Sequence, residues 1–200
     1  MKARHHLFKM SILLAATLLA TAAFAASERF KGQILDAGKV APTSSQARLK
    51  VGDKAPDFTL PSIKGEKVSL SQFEGKQNVV ISFVPAAFTP VCSEQWPGYN
   101  MVKDIFEANH SIMLGITTDN APTLFAWTEQ MGGVWFPVLS DFWPHGKVSD
   151  LFGVLRPEGT SERALFVIDK KGVIRYIDVH DINQRPDLAV LVRELEKLPR

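Results

Sequence analysis

The chain contains one cysteine in 200 residues. A single thiol excludes an intramolecular disulfide and any cysteine-based metal cluster. An excess of either charge is missing too: 23 Lys+Arg stand against 21 Asp+Glu, a formal net charge of +2. Without a basic field, neither nucleic acid nor an anionic membrane surface is an expected partner. The longest apolar run, Met10 to Ala20, falls short of the ~20 residues that a membrane span requires. Internal repeats and low-complexity segments are absent, so solenoids and flexible tails are set aside.

The N-terminus carries a recognisable address. Lys2, Arg4 and Lys9 precede the apolar run, and Ala23-Phe24-Ala25 follows it as a small-x-small site. This is the pattern of a secretory signal peptide over residues 1–25, with Ala26 as the first mature residue; the other reading is an uncleaved anchor. Residues 1–25 hold three of the basic residues and no acidic one, leaving 20 basic and 21 acidic residues in the mature chain. The cleavage site has no cysteine, so a lipoprotein is excluded. The expected location is periplasmic or secreted, with no membrane attachment after cleavage. In such an oxidising space a lone thiol is an intermolecular bridge, a reactive group, or an inert buried side chain.

Residues 26–48 are mixed and polar and read as a linker or loosely packed arm, followed by one domain over 49–200. Short strands are expected at 58–60 and 68–70, then a central strand from Asn78 to Val84 and a helix from Val91 to Ala108. Ser111 to Thr118 reads as a strand buried on both faces, and Ala121 to Met131 as a helix with Pro122 in its first turn. A short strand at 136–139 and a short helix at 148–152 come next. Strands at 164–169 and 173–179 are joined by Lys170-Lys171-Gly172, a hairpin signal. A closing helix over 186–198 places Leu188, Leu191, Val192, Leu195 and Leu198 on one face. A βαβ unit, a hairpin and a final helix are the order of a thioredoxin-like α/β domain, a central mixed sheet flanked by helices.

The cysteine lies in Pro85-Ala86-Ala87-Phe88-Thr89-Pro90-Val91-Cys92, just after the central strand. Thr89 suits the N-cap and Pro90 the first helical position, which puts Cys92 at the third. There the exposed N–H groups and the positive end of the helix dipole favour a thiolate. The geometry predicts that the Thr89 hydroxyl accepts the Cys92 N–H.

Pro-x-x-x-Thr-x-x-Cys resembles the signature of the peroxiredoxins of the AhpC/TSA superfamily, thiol peroxidases on the thioredoxin fold. Ala55-Pro56-Asp57-Phe58 resembles the family's first strand. Arg163, in Glu162-Arg163-Ala164-Leu165-Phe166-Val167-Ile168-Asp169, matches its active-site arginine. Ser140-Asp141-Phe142-Trp143-Pro144-His145-Gly146 resembles the one-cysteine alkyl hydroperoxide reductase E type. The resemblance implies that Cys92 attacks hydrogen peroxide or an organic hydroperoxide and becomes a sulfenic acid. It implies that Thr89 hydrogen-bonds thiolate and peroxide, that Arg163 holds the charge, and that Pro85 shields the site. It also implies a homodimer, no cofactor and no metal. With no resolving cysteine in the chain, an external thiol or a thioredoxin- or glutaredoxin-like reductant must complete the cycle. One departure is visible: many relatives carry glutamate three residues after the cysteine, and here Gln95 stands there beside Glu94. Glu94 is expected to face solvent or pair with an arginine.

Other readings of the same residues stay open at this stage. A cysteine protease would use His145 as base, but that histidine suits a turn cap or a subunit contact better. His110 and His180 sit at element ends facing solvent, too scattered for a metal site. A thioredoxin-fold thiol–disulfide oxidoreductase would need Cys-x-x-Cys, and Gln95 occupies the partner position. A non-enzymatic redox-partner or copper module would need a second cysteine. Trp96, Trp127, Trp135 and Trp143 are expected in the core, at an interface, or lining a substrate cleft.

Overall fold

The structure, a computed structural model, describes residues 31–43, 45 and 47–198. The expected signal peptide lies outside them. None of the described helices is long and apolar enough to cross a membrane.

Seven strands form. β1 (Thr59–Pro61) and β2 (Lys67–Ser69) make a small antiparallel ribbon. The main sheet takes β3 (Asn78–Phe83), β4 (Ser111–Thr117), β5 (Val138–Ser140), β6 (Arg163–Ile168) and β7 (Ile174–His180) in the order β5-β4-β3-β6-β7. β3 runs parallel to β4 and antiparallel to β6. The sheet is therefore mixed, with crossovers on one side and a hairpin on the other. Five helices accompany it: α1 (Pro90–Tyr99), α2 (Lys103–Ala108), α3 (Ala121–Gln130), α4 (Lys147–Leu151) and α5 (Leu188–Glu196).

The two-residue period of β3 decides which side chains meet α1. Val79, Ile81 and Phe83 enter one core with Phe58, Phe152 and Phe166. Val80 and Val84 enter the other, with Cys92, Trp96, Trp127 and Leu195. Ser82 shares the parity of Val80 and sits fully buried on the cysteine side. A hydroxyl in that position needs donors, and the indole of Trp96 (3.2 Å) supplies one.

Two segments differ from the sequence reading. The helix expected over 91–108 divides into α1, a 3-10 turn at Asn100–Val102, and α2. Pro97 lies inside α1 and offers no N–H to the preceding turn. The described residues of the expected loose arm, from 31 onward, are docked instead. Leu35, Val40, Thr43, Ser45 and Arg48 all hydrogen-bond the domain, and Ala47 and Leu49 pack on the core of Phe58, Phe152 and Phe166. A polar segment with no periodicity gives no sign that its backbone will find fixed partners.

Gly115 in β4 shows how tightly the cysteine-side core is filled. A Cβ there would come within 2.7 Å of the Trp96 ring and 3.0 Å of Phe136. Neither ring has room to retreat, since Trp96 is fully buried and also packs on Trp127 with centroids 4.9 Å apart. Gly115→Ala is expected to destabilise the fold by about 1–3 kcal/mol, the usual cost of overpacking. Urea unfolding monitored by tryptophan fluorescence reads this directly, and an unchanged midpoint would contradict it.

Candidate active site

The end of β3 delivers the chain into the loop that holds the cysteine. Pro85 is buried at its start. The Ala87 N–H donates to the Asp119 carboxylate (2.8 Å), which also receives the Thr117 hydroxyl (2.8 Å). Ser161 Oγ donates to the Val84 carbonyl (2.9 Å). The loop is thus fastened to β4 on one side and to the approach to β6 on the other. Phe88 adopts φ 56, a left-handed conformation that costs a non-glycine residue about 1–3 kcal/mol. Thr89 is extended (φ −110, ψ 154), as a residue before proline prefers. α1 then begins at Pro90 and places Cys92 in its first turn, 1% exposed.

Thr89 is the N-cap as expected, but its side chain does not cap. The hydroxyl donates backward to the Ala86 carbonyl (2.9 Å), and no side-chain bond reaches the helix N–H groups. The reason is local: the turn forced by Phe88 brings the Ala86 carbonyl within reach. With its proton committed, the Thr89 oxygen retains lone pairs for an incoming donor.

Arg163 arrives from 71 residues away in sequence, with its Nη2 3.4 Å from Cys92 Sγ. It opens β6, beside Ala164, which pairs with Phe83 at the end of β3. The side chain is 1% exposed. Its Nε and Nη2 donate to the Ile182 carbonyl (3.2 and 3.0 Å), and its Nη1 donates to Gln95 Oε1. Among the described residues, no carboxylate forms an ion pair with Arg163; its neighbours are neutral acceptors and the sulfur. A thiolate on Cys92 would supply the missing negative charge.

Gln95 is more than a tolerated departure. Arg163 can only donate, so it sets which end of the amide faces it. The Gln95 NH2 then points to Tyr99 Oη (2.8 Å) and Ser82 Oγ (3.4 Å). Burial pushes the Tyr99 phenol up to about 12, so it remains a neutral hydroxyl. Glu94, one residue earlier, meets Arg185 at 3.5 Å with both side chains about half exposed, as the sequence reading anticipated. A screened pair of this kind adds little stability.

Sequence reasoning missed a second layer. Arg156 and Glu162 form a buried pair at 2.9 Å next to Arg163. Glu162 stood in the quoted strand motif, yet nothing in the motif marks its partner. The other candidates lie elsewhere. His145 is exposed and its Nε2 meets the Gly159 carbonyl (2.7 Å), holding a turn as expected. His180 pairs with Asp178 (3.2 Å), and His110 is exposed. Trp96 and Trp127 are core residues, while Trp143 is 79% exposed. No cluster suited to a metal ion occurs among the described residues.

Comparison with known proteins gives a consistent result. A model of the AhpC/TSA family matches residues 51–177. Alkyl hydroperoxide reductase E of Mycobacterium tuberculosis is 39% identical over 132 residues, covering 66% of this chain and 86% of that protein. A chloroplastic 2-Cys peroxiredoxin of Hordeum vulgare is 31% identical over 158 residues, covering 74% of each. Among solved structures, the reduced 2-Cys peroxiredoxin of Plasmodium vivax aligns with a TM-score of 0.69 at 26% identity, covering 74% of this chain and 81% of that one.

The Ser140–Gly146 segment generates a pH dependence. The buried Asp141 carboxylate accepts the N–H groups of Val148 (3.0 Å) and Ser149 (2.8 Å) and the Ser149 hydroxyl (2.8 Å). Burial nevertheless pushes this carboxyl above its ordinary value, outweighing those bonds. A raised carboxyl favours folding while it is protonated, and that contribution is lost as the pH rises through its folded value. The stability of the wild type minus that of Asp141→Asn, from urea unfolding at a series of pH values, should therefore be largest in acid and shrink toward neutrality. A difference that grows with pH would contradict this.

Proposed function

The chain belongs to the AhpC/TSA family, the peroxiredoxins, and we propose that Cys92 is its peroxide-reacting thiol. The protein is a thiol-dependent peroxidase, an oxidoreductase on a thioredoxin-like fold, and its single cysteine fits the one-cysteine type. The observation that carries the assignment is the 3.4 Å contact between Arg163 Nη2 and Cys92 Sγ in a setting without a competing carboxylate.

In this reading the Cys92 thiolate attacks one oxygen of the peroxide, and the O–O bond breaks as the S–O bond forms. The electron pair leaves on the second oxygen, which takes a proton and departs as water or an alcohol. Cys92 is left as a sulfenic acid. Arg163 stabilises the charge as it moves from sulfur to the leaving oxygen; donors fixed in place before reaction lower such a barrier most. The Thr89 oxygen accepts a hydrogen bond from the peroxide O–H and so orients it. Pro85, buried at the loop's start, keeps bulk water away. Hydrogen peroxide and organic hydroperoxides are the substrate class.

An external thiol attacks the sulfenic sulfur to give a mixed disulfide and water. A second thiol then releases Cys92 and leaves as the other half of a new disulfide. Position 95 argues against a Cys-x-x-Cys oxidoreductase, because the side chain there is an amide engaged by Arg163. The signal-like N-terminus supports export, so we place the enzyme in the periplasm or outside the cell, with 26–200 as the mature chain. We also propose a homodimer; exposed Phe142 and Trp143 are apolar surface that a second copy could cover.

Cys92→Ser is expected to abolish peroxide consumption in the presence of excess small thiol while leaving the circular dichroism spectrum unchanged. Retained turnover in that variant would refute the assignment.

A further inference from the structure

The segment 33–45 lies ahead of the residues matched by the family, which begin at 51. Yet it reaches the cysteine loop and residues beside those that hold Arg163. The Leu35 N–H donates to the carbonyl of Phe88 (2.9 Å), the left-handed residue of the cysteine loop. Just before it, the Gln33 side chain bonds Gln130 of α3. Further along, Val40 is clasped by one side chain. Its N–H donates to Asn183 Oδ1 (2.9 Å), and Asn183 Nδ2 donates to its carbonyl (3.0 Å). Asn183 directly follows Ile182, the carbonyl that receives two Arg163 donors. The Ala41 carbonyl accepts Arg156 Nη2 (3.2 Å), and the Ser45 N–H donates to Glu162 (2.9 Å). Glu162 of that buried pair directly precedes Arg163 in the chain.

We propose that residues 33–43 are a strut of the peroxide-reacting site, with the Leu35 N–H and the Asn183 side chain as positioning groups. The first holds the carbonyl of a strained residue that would otherwise relax out of the left-handed region. The second holds the backbone whose carbonyl aims Arg163 at the sulfur. The Leu35 side chain is 71% exposed, so what this residue brings to the site is its N–H. The proposal rests on the reading of Cys92 as the peroxide-reacting thiol.

The test uses the chain from Ala26 and compares Leu35→Pro, which removes that N–H, with Leu35→Ala, which keeps it. Asn183→Ala cuts the second tie independently and carries the test if the proline variant does not fold. Each protein is mixed rapidly with hydrogen peroxide, with tryptophan fluorescence as the signal. In parallel Cys92 is alkylated with iodoacetamide, a reaction of the thiolate that needs no oriented peroxide, and the rate compared is the high-pH plateau at which ionisation no longer limits it. Leu35→Pro and Asn183→Ala should oxidise about tenfold or more slowly, as misplacement by a fraction of an ångström implies. Their alkylation rates should stay within about twofold of wild type, the small change left when orientation alone is lost. Leu35→Ala should retain the wild-type peroxide rate. Equal peroxide rates in Leu35→Pro and Leu35→Ala together with a wild-type rate in Asn183→Ala would overturn the strut. So would alkylation rates that fall in step with the peroxide rates, since the segment would then act on thiol exposure alone. A wild type no faster than free cysteine would instead remove the peroxidase reading beneath it.

Discussion

A guanidinium that is buried and has no carboxylate partner among the described residues governs this site. Taking a cation of that size out of water costs several kcal/mol even after the protein relaxes. Arg163 recovers part of that through the Ile182 carbonyl and the Gln95 amide, both neutral. What remains is positive charge directed at Cys92 Sγ. A glutamate at 95 would claim that charge; an amide accepts a hydrogen bond and leaves the charge unspent. The surrounding structure follows from this requirement. The register of β6 against β3 brings Arg163 to the end of the central strand, and α1 follows that strand after the loop of residues 84–89.

Polar groups around the site are correspondingly well matched. The indoles of Trp96 and Trp127 donate to Ser82 and Ser93, and Tyr99 is held neutral by burial. Among the described residues only Asn109 Oδ1 is a buried side-chain polar atom without a partner. It lies in the turn before β4, at the opposite end of the strands from the cysteine. A fully satisfied network fixes one arrangement of side chains, because any alternative leaves a donor or acceptor buried alone.

Much of this was legible in the sequence for identifiable reasons. The continuous apolar run leading to Val84, the hairpin at Lys170-Lys171-Gly172 and the apolar stripe of the last helix each come from short-range patterning, and all three elements form. The Cys92 position followed from Pro90 at the first helical residue. Arg163 was found through the resemblance, since an arginine opening an apolar strand looks structural in isolation. The Thr89 hydroxyl was misassigned because its direction depends on the left-handed turn at Phe88, which no propensity predicts for an aromatic residue. The unbroken helix over 91–108 overlooked Pro97. The arm was read as loose because backbone hydrogen bonds to distant loops leave no trace in composition.

The chemistry follows from charge rather than from a second catalytic group. No described histidine approaches the sulfur, and the amide at 95 cannot take a proton. In the proposed reading the attacking group and its countercharge are one pair, Cys92 and Arg163. The most direct test replaces the guanidinium with a side chain of similar reach and no charge. Reduced wild type and Arg163→Met are mixed rapidly with hydrogen peroxide, and the sulfenic acid on Cys92 is trapped with a selective probe. The account predicts fast labelling in the wild type and a loss of about a hundredfold or more in Arg163→Met, the scale of removing a fixed charge-stabilising donor. Equal rates in the two proteins would contradict it.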